Sequence, residues 1–332
     1  MGAIRMSLRI KDSVIVTGSI LVNNDHFANI YKDEESLNFI ENILGKKERY
    51  HCDCFENTLT LGAKAVDKVL SKSGLNGNDI DLIAFCSQYP EFTLPSQACL
   101  IHNHIHGKTN CVTFDLNANC LGMLRGLDVV NRYFKDKKGD IKYALLIGSD
   151  YMSIHAHEYD PTTFASFSDG ACALLLEYTD NDEIGIIGSA DRTMSDRAYG
   201  ILFPECGLSH IDEYLGDNVK TAWTDPISQP VLIGMRDALH DVLNKHNLKV
   251  NDINWYCGCQ LSIAFFNEVC NFLDIPPEKG IYVGDKYGYT GTSSPFFAYT
   301  QGVLDKKIKK GDIVLFTTVG VGDTICSMLL RV

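Results

Sequence analysis

The sequence has no apolar run long enough to cross a bilayer. Its longest stretches, such as Tyr143–Ile147 and Ala171–Leu176, fall far short of the roughly 18 residues that a spanning helix needs. No basic cluster exceeds the short runs at Lys46-Lys47 and Lys306–Lys310, and 30 Lys and Arg stand against 42 Asp and Glu, a net charge of −12. Such an acidic chain excludes nucleic acid as a partner. The opening Met-Gly-Ala-Ile-Arg-Met carries no signal-peptide apolar core, and Met6 stands where a myristoylation motif wants Ser or Thr. The expectation is a cytoplasmic protein that does not engage a membrane. With 45% hydrophobic and 22% charged residues the composition is that of an ordinary globular chain, and 332 residues make about two units of domain size.

Twelve cysteines in a chain of this length, without a secretion signal, read as reduced thiols. Two Cys-x-Cys pairs, Cys52/Cys54 and Cys257/Cys259, could in principle form a four-thiolate zinc site. Their spacing is tighter than that of structural zinc ligands and they lie in or beside apolar sequence, so buried small hydrophobes are the better account and no metal is expected.

What the sequence does hold is a repeat. Leu59, Ala65, Val66, Val69, Leu70 and Leu75 lie at helical spacing, and a strand Ile80–Cys86 follows. A shift of 173 residues finds Leu232, Ala238, Leu239, Val242, Leu243 and Leu248, then a strand from Ile253. The joints are nearly the same, Asn78-Asp79-Ile80-Asp81 against Asn251-Asp252-Ile253-Asn254. A shift of 172 carries Gly139-Asp140-Ile141, which opens the strand Tyr143–Ile147, onto Gly311-Asp312-Ile313, which opens Val314–Val319. One shared offset argues for two similar halves, residues 1–178 and 179–332. Within each half, wholly apolar strands alternate with helices, the pattern of α/β layers whose strands are covered on both faces. In such sheets a ligand sits beyond the carboxyl ends of the strands.

At one of those ends, after the strand Cys111–Leu116, comes Asn117-Ala118-Asn119-Cys120-Leu121-Gly122 and then a helical pattern through Leu124, Leu127, Val130 and Tyr133. A thiol at a helix start is expected to ionise more readily, because unpaired amides and the positive end of the dipole favour thiolate. The same turn can lend an amide to a developing oxyanion. Cys120 is the candidate nucleophile.

Asp115-x4-Cys120-x-Gly122 resembles the nucleophile turn of β-ketoacyl-ACP synthase III, in the thiolase-fold superfamily. Gly45-Lys46-Lys47-Glu48-Arg49 resembles that family's Gly-Ile-Arg-Glu-Arg, and Pro95-Ser96 matches its Pro-Ser. Phe167-Ser168-Asp169-Gly170-Ala171 resembles its Phe-Gly-Asp-Gly-Ala, and Gly320-Val321-Gly322-Asp323-Thr324 its Gly-Gly-Gly-Phe-Thr. The resemblance covers essentially the whole chain. It implies a duplicated αβαβα fold and transfer of an acyl group from a coenzyme A or acyl carrier protein thioester onto Cys120. No tightly bound cofactor is implied. The backbone amides of Cys120 and Val321 would form the oxyanion hole, Lys47 and Arg49 would lie at the mouth near a donor phosphate, and Leu94 would line the acyl channel. The chain would be a dimer, with Phe92–Ser96 reaching the neighbour's site.

Two catalytic residues of that family are replaced. Cys259, in Cys257-Gly258-Cys259-Gln260-Leu261-Ser262, stands where the family has its histidine, and Tyr289, in Tyr287-Gly288-Tyr289-Thr290, where it has its asparagine. Those residues donate to the thioester carbonyl as malonyl loses CO₂, and a thiol is a weak donor. Decarboxylative condensation is therefore not expected as the native reaction, whereas acyl transfer needs only a thiolate and an oxyanion hole. His155 and His157 are the substitute bases that the sequence offers. His102, His104 and His106 do not share one helical face and are read as the end of a helix or loop near the subunit interface. The loop Tyr199–Asp217, with Cys206 and His210, is a candidate wall of the acyl pocket. Two other readings remain: a non-catalytic or half-active subunit paired with an intact homologous synthase, and a redox pair of Cys120 with Cys259.

Overall fold

Strands without a polar face must be covered on both sides, and the architecture follows from that requirement. The structure, a computed structural model, describes residues 8–136, 140–213, 219–223 and 229–332. One sheet has the order β1 (Leu8–Thr17), β7 (Gly170–Tyr178), β6 (Tyr143–Asp150), β4 (Leu82–Cys86), β5 (Val112–Leu116); the second has β8 (Gly185–Thr193), β13 (Thr324–Arg331), β12 (Ile313–Gly320), β11 (Trp255–Tyr256). Both begin with two antiparallel pairings and continue in parallel, and both carry a β-bulge in the first pairing, between β1 and β7 and between β8 and β13. Two small ribbons flank them, β2 (Ile20–Asn23) with β3 (Glu48–His51) and β9 (Ile201–Leu202) with β10 (Ala222–Trp223).

Alternate residues of each strand feed different cores. Leu82, Ala84, Leu146, Val314, Phe316 and Met328 face a central layer made by the helices Gly122–Asp136 and Ser294–Leu304. Ile83, Phe85, Leu145 and Leu175 face the outer helix Thr58–Ser73, and Leu315, Ile325 and Leu329 face the outer helix Gln229–Lys245. Helix, sheet, helix, sheet, helix is the resulting order of layers.

The repeated joint has a local cause. In both halves a one-turn 3₁₀ segment, Gly77–Asp79 or Val250–Asp252, ends on an aspartate that accepts from the amide three residues earlier, Asn76 or Lys249. The residue two further on, Asp81 or Asn254, then accepts an amide at the head of the next central strand, that of Tyr143 at 3.0 Å or Ile313 at 2.7 Å. An Asx side chain at that place joins a turn to the strand beside it, which is why the tetrapeptide recurs. The strand expected from Ile253 is only Trp255–Tyr256, because its chain turns away after two pairings with β12.

Candidate active site

β5 ends at Leu116, and the chain turns through Asn119–Leu121, a 3₁₀ segment with Asn119 at φ 52°, before the helix Gly122–Asp136 begins. Gly122 is required there: a Cβ would come 2.5 Å from Thr292 Oγ1, the atom that accepts from the Met123 amide. Asp115 of the motif serves structure, its two carboxylate oxygens accepting from the amides of Gln97 and Ala98 at the start of the helix Gln97–His104.

Cys120 lies in a pocket shared with Cys259, Tyr289 and the turn Gly320–Asp323, so the structure brings together residues from both halves of the chain. The Tyr289 hydroxyl donates to Cys120 Sγ at 2.7 Å, and Cys120 Sγ donates to Gln88 Oε1 at 3.8 Å. Tyr289 is fixed by its own backbone, its amide bonding to the Ser166 carbonyl and its carbonyl accepting from Ser168. Gly288 before it has φ 68° and ψ −156°, a conformation that a side chain strains, and a Cβ would come 2.6 Å from Ser168 Cβ. Gly288→Ala is therefore expected to cost about 2–3 kcal/mol in urea unfolding. A variant as stable as the wild type would show that the turn relaxes freely.

Beneath the pocket, Asp150 collects four donors, Ser87 Oγ and the amides of Gln88, Tyr89 and Thr292, and ties the end of β6 to both flanking turns. Burial nevertheless pushes its carboxyl up to about 6. At the rim Arg197 grips Asp323 through two bonds of 2.8 and 2.9 Å.

Several expectations are corrected here. The Cys120 thiol is not activated by its position; burial, and then the neighbouring Cys259, push it up to about 12, against the opposing hydrogen bond from Tyr289. Desolvation outweighs the helix start because, among the described residues, no cation acts on the sulfur to repay it. Arg49 does not lie at a mouth. It is wholly buried, with Nε on the Ala165 carbonyl, Nη1 on Asn24 Oδ1 and its guanidinium 4.2 Å from the Phe27 ring. Lys47 is exposed, at a separate cavity bordered by Asn24, Glu41 and Asp285. Leu94 is 86% exposed and does not line the pocket of its own chain, which leaves untouched the expectation that Phe92–Ser96 reaches a neighbour's site. His155 stacks on Tyr89 and lies tilted against Phe203, burial pushes its imidazole down to about 4, and it does not border the Cys120 pocket. His102 and His104 are tied to the Lys108 carbonyl and to Asp67. Of the loop Tyr199–Asp217, Gly200 and Ile201 do border the pocket, Cys206 and His210 do not, and residues 214–217 lie outside the described residues.

Val321 lines the same pocket as Cys120. The sequence reading missed Arg197, Tyr89, Gln88 and Lys46. Only Lys46 had left a signal, a charge inside a motif whose counterpart is isoleucine. Among the described residues no group of three His, Cys, Asp or Glu side chains converges to hold a metal ion, and no helix is long and apolar enough to cross a membrane.

Two family models match the chain, 3-Oxoacyl-[acyl-carrier-protein (ACP)] synthase III over residues 114–195 and the C-terminal part of the same family over residues 243–332. The β-ketoacyl-[acyl-carrier-protein] synthase III of Rickettsia massiliae (strain Mtu5) is 30% identical over 313 residues, covering 94% of this chain and 96% of the relative. That of Wolbachia pipientis wMel is 30% identical over 326 residues, 97% and 99% of the two chains. Among solved structures, 3-oxoacyl-(acyl-carrier protein) synthase from Burkholderia xenovorans LB400 superposes with a TM-score of 0.89 at 20% identity, covering 99% of this chain and 95% of that one. A variant of OleA from Xanthomonas campestris does so with a TM-score of 0.82 at 14% identity, over the full length of both. At these identities the superpositions establish the fold.

Proposed function

The chain belongs to the β-ketoacyl-[acyl-carrier-protein] synthase III family, and from that premise we propose that it carries an acyl group as a thioester on Cys120 and hands it to an acceptor without decarboxylative condensation. The observation that carries this reading is the hydroxyl of Tyr289 donating to Cys120 Sγ at 2.7 Å, in a pocket walled by the turn Gly320–Asp323. A thiolate formed at Cys120 keeps that donor, which supplies part of what burial removes.

The donor is an acyl-coenzyme A or acyl carrier protein thioester. The Cys120 sulfur attacks its carbonyl carbon, the amides of Cys120 and Val321 hold the oxyanion, and the thiol of the donor leaves with a proton. Lys47, exposed beside its separate cavity, is the cation offered to a donor phosphate. Condensation is set aside because the donors that stabilise an enolate are absent: at those two places stand a thiol and a phenol that is committed to Cys120. The natural assembly is a dimer of this chain, in which the exposed Phe92 and Leu94 are covered by the second copy.

The test is intact-protein mass spectrometry after incubation with a panel of acyl-coenzyme A and acyl-carrier thioesters, followed by peptide mapping. One acyl mass on the Cys120 peptide is the expected result. No adduct from any donor would sink it and favour a second reading, a half-active partner of an intact homologous synthase. Burial, which pushes the Cys120 thiol up to about 12, weighs on that side.

A further inference from the structure

Tyr89 follows Gln88, the residue whose Oε1 accepts from Cys120, and its amide is fixed on Ser87 Oγ at 3.0 Å and Asp150 Oδ1 at 3.2 Å. Its ring stacks on His155 with centroids 4.6 Å apart and meets Phe203 edge to face at 4.7 Å. The Thr221 amide donates to the His155 carbonyl and so brings Thr221 into the same cluster. Of these four residues, only the two that carry hydroxyls, Tyr89 and Thr221, border the pocket of Cys120. Both are buried, and their hydroxyl oxygens lie 2.8 Å apart.

The hydrogens of that pair do not balance. Two hydroxyls carry two O–H donors, and the bond between them uses one, whichever oxygen gives it. The second has no acceptor among the described residues. Burial, against the bond to Thr221, pushes the Tyr89 phenol above its ordinary value, so it keeps its proton at neutral pH. Other polar groups of the pocket are committed: Tyr289 to Cys120, Cys120 to Gln88, Arg197 to Asp323.

The wall around them is largely apolar, with Met152, Phe167, Ile201, Leu261 and Val319. A pocket of that kind reads its ligand through the few polar groups placed in it. A buried O–H without an acceptor carries a desolvation cost that a ligand oxygen removes and a methylene does not.

We propose that the Tyr89–Thr221 pair is a subsite for an oxygen on the acyl chain, so that the donor thioester carries a hydroxyl or keto group rather than a plain alkyl chain. The inference rests on the acyl-transfer reading. The oxygen concerned is not the thioester carbonyl, which that reading gives to the amides of Cys120 and Val321. Tyr89 and Thr221 are specificity residues here: they touch the chain of the substrate and take no part in moving it. A site with a donor set for a substrate oxygen discriminates far more sharply than an apolar wall does against one methylene more or less.

The test is isothermal titration calorimetry of the full chain carrying Cys120→Ala, which removes the sulfur proposed to bond to the acyl carbon. The probes are coenzyme A thioesters of equal chain length: unsubstituted, hydroxylated at each successive carbon, and their keto counterparts. At one position the oxygenated thioester is expected to bind about tenfold or more tightly than the unsubstituted one. Tyr89→Phe together with Thr221→Val, in the same background, is expected to bring that ratio to about one. Equal binding of plain and oxygenated thioesters at every position overturns the proposal, whether or not the double variant folds, and so does binding of none of them. A ratio that a folded double variant leaves unmoved overturns it as well, and assigns the pair to packing. Because calorimetry reads binding without transfer, the two readings fail separately: wild-type Cys120 that loads while the ratio is one sinks this inference alone, and a tenfold ratio with no loading sinks the acyl-transfer reading alone.

Discussion

Cys120→Ala is expected to abolish acyl loading, and Tyr289→Phe to slow it about 10- to 100-fold while leaving the adduct on the same peptide. The first loses the sulfur proposed to bond to the acyl carbon. The second keeps the ring, its contact with Phe167 at 6.3 Å between centroids and the backbone bonds to Ser166 and Ser168, and deletes one hydroxyl. A hydrogen bond to a charged partner is worth about 1.5–3 kcal/mol, and about 1.4 kcal/mol is a tenfold change in rate, which sets the range. Quenched-flow loading read by mass is the measurement. Loading of Tyr289→Phe at the wild-type rate would show that the 2.7 Å contact has no part in activating the sulfur. An acyl mass on Cys120→Ala would move the nucleophile elsewhere, first to Cys259 across the pocket.

The second large effect is a gain. Cys259→His combined with Tyr289→Asn is expected to raise malonyl-thioester decarboxylation by about a hundredfold or more over the wild type, since a single donor to a developing oxyanion is worth roughly 10²–10³ in rate. Replacing the phenol with the shorter amide removes the hydroxyl from Cys120 and vacates ring volume beside Cys259, where the imidazole is to stand. Each single change alone is expected to give far less, because the enolate needs both donors. The readout is CO₂ release at equal protein concentration. A wild type that decarboxylates as fast as the double variant would show that a thiol and a phenol already suffice, and the exclusion of condensation would fall.

The two halves were legible in the sequence for a physical reason. Apolar spacing reports which face of a helix or strand is buried, and the Asn-Asp-Ile joint recurs because an aspartate closing a 3₁₀ turn and an Asx side chain capping the adjacent strand are local acts. The strand, turn and helix around Cys120 were legible on the same ground.

What lies across the pocket was not. Tyr289 follows Cys120 by 169 positions and Lys46 precedes Gln260 by 214, so neither contact leaves a periodicity to read. Burial inverted the two electrostatic expectations, since a helix start that should favour thiolate loses to desolvation at Cys120, and Arg49, a surface charge by type, is enclosed. The sequence by itself determined the layers, the recurring joint and the strand, turn and helix around Cys120, because these follow from local patterning. Only the tertiary structure decided which way burial shifts the thiol of the site, because the free energy of a proton on sulfur or nitrogen depends on the solvent that distant segments exclude and the donors they bring.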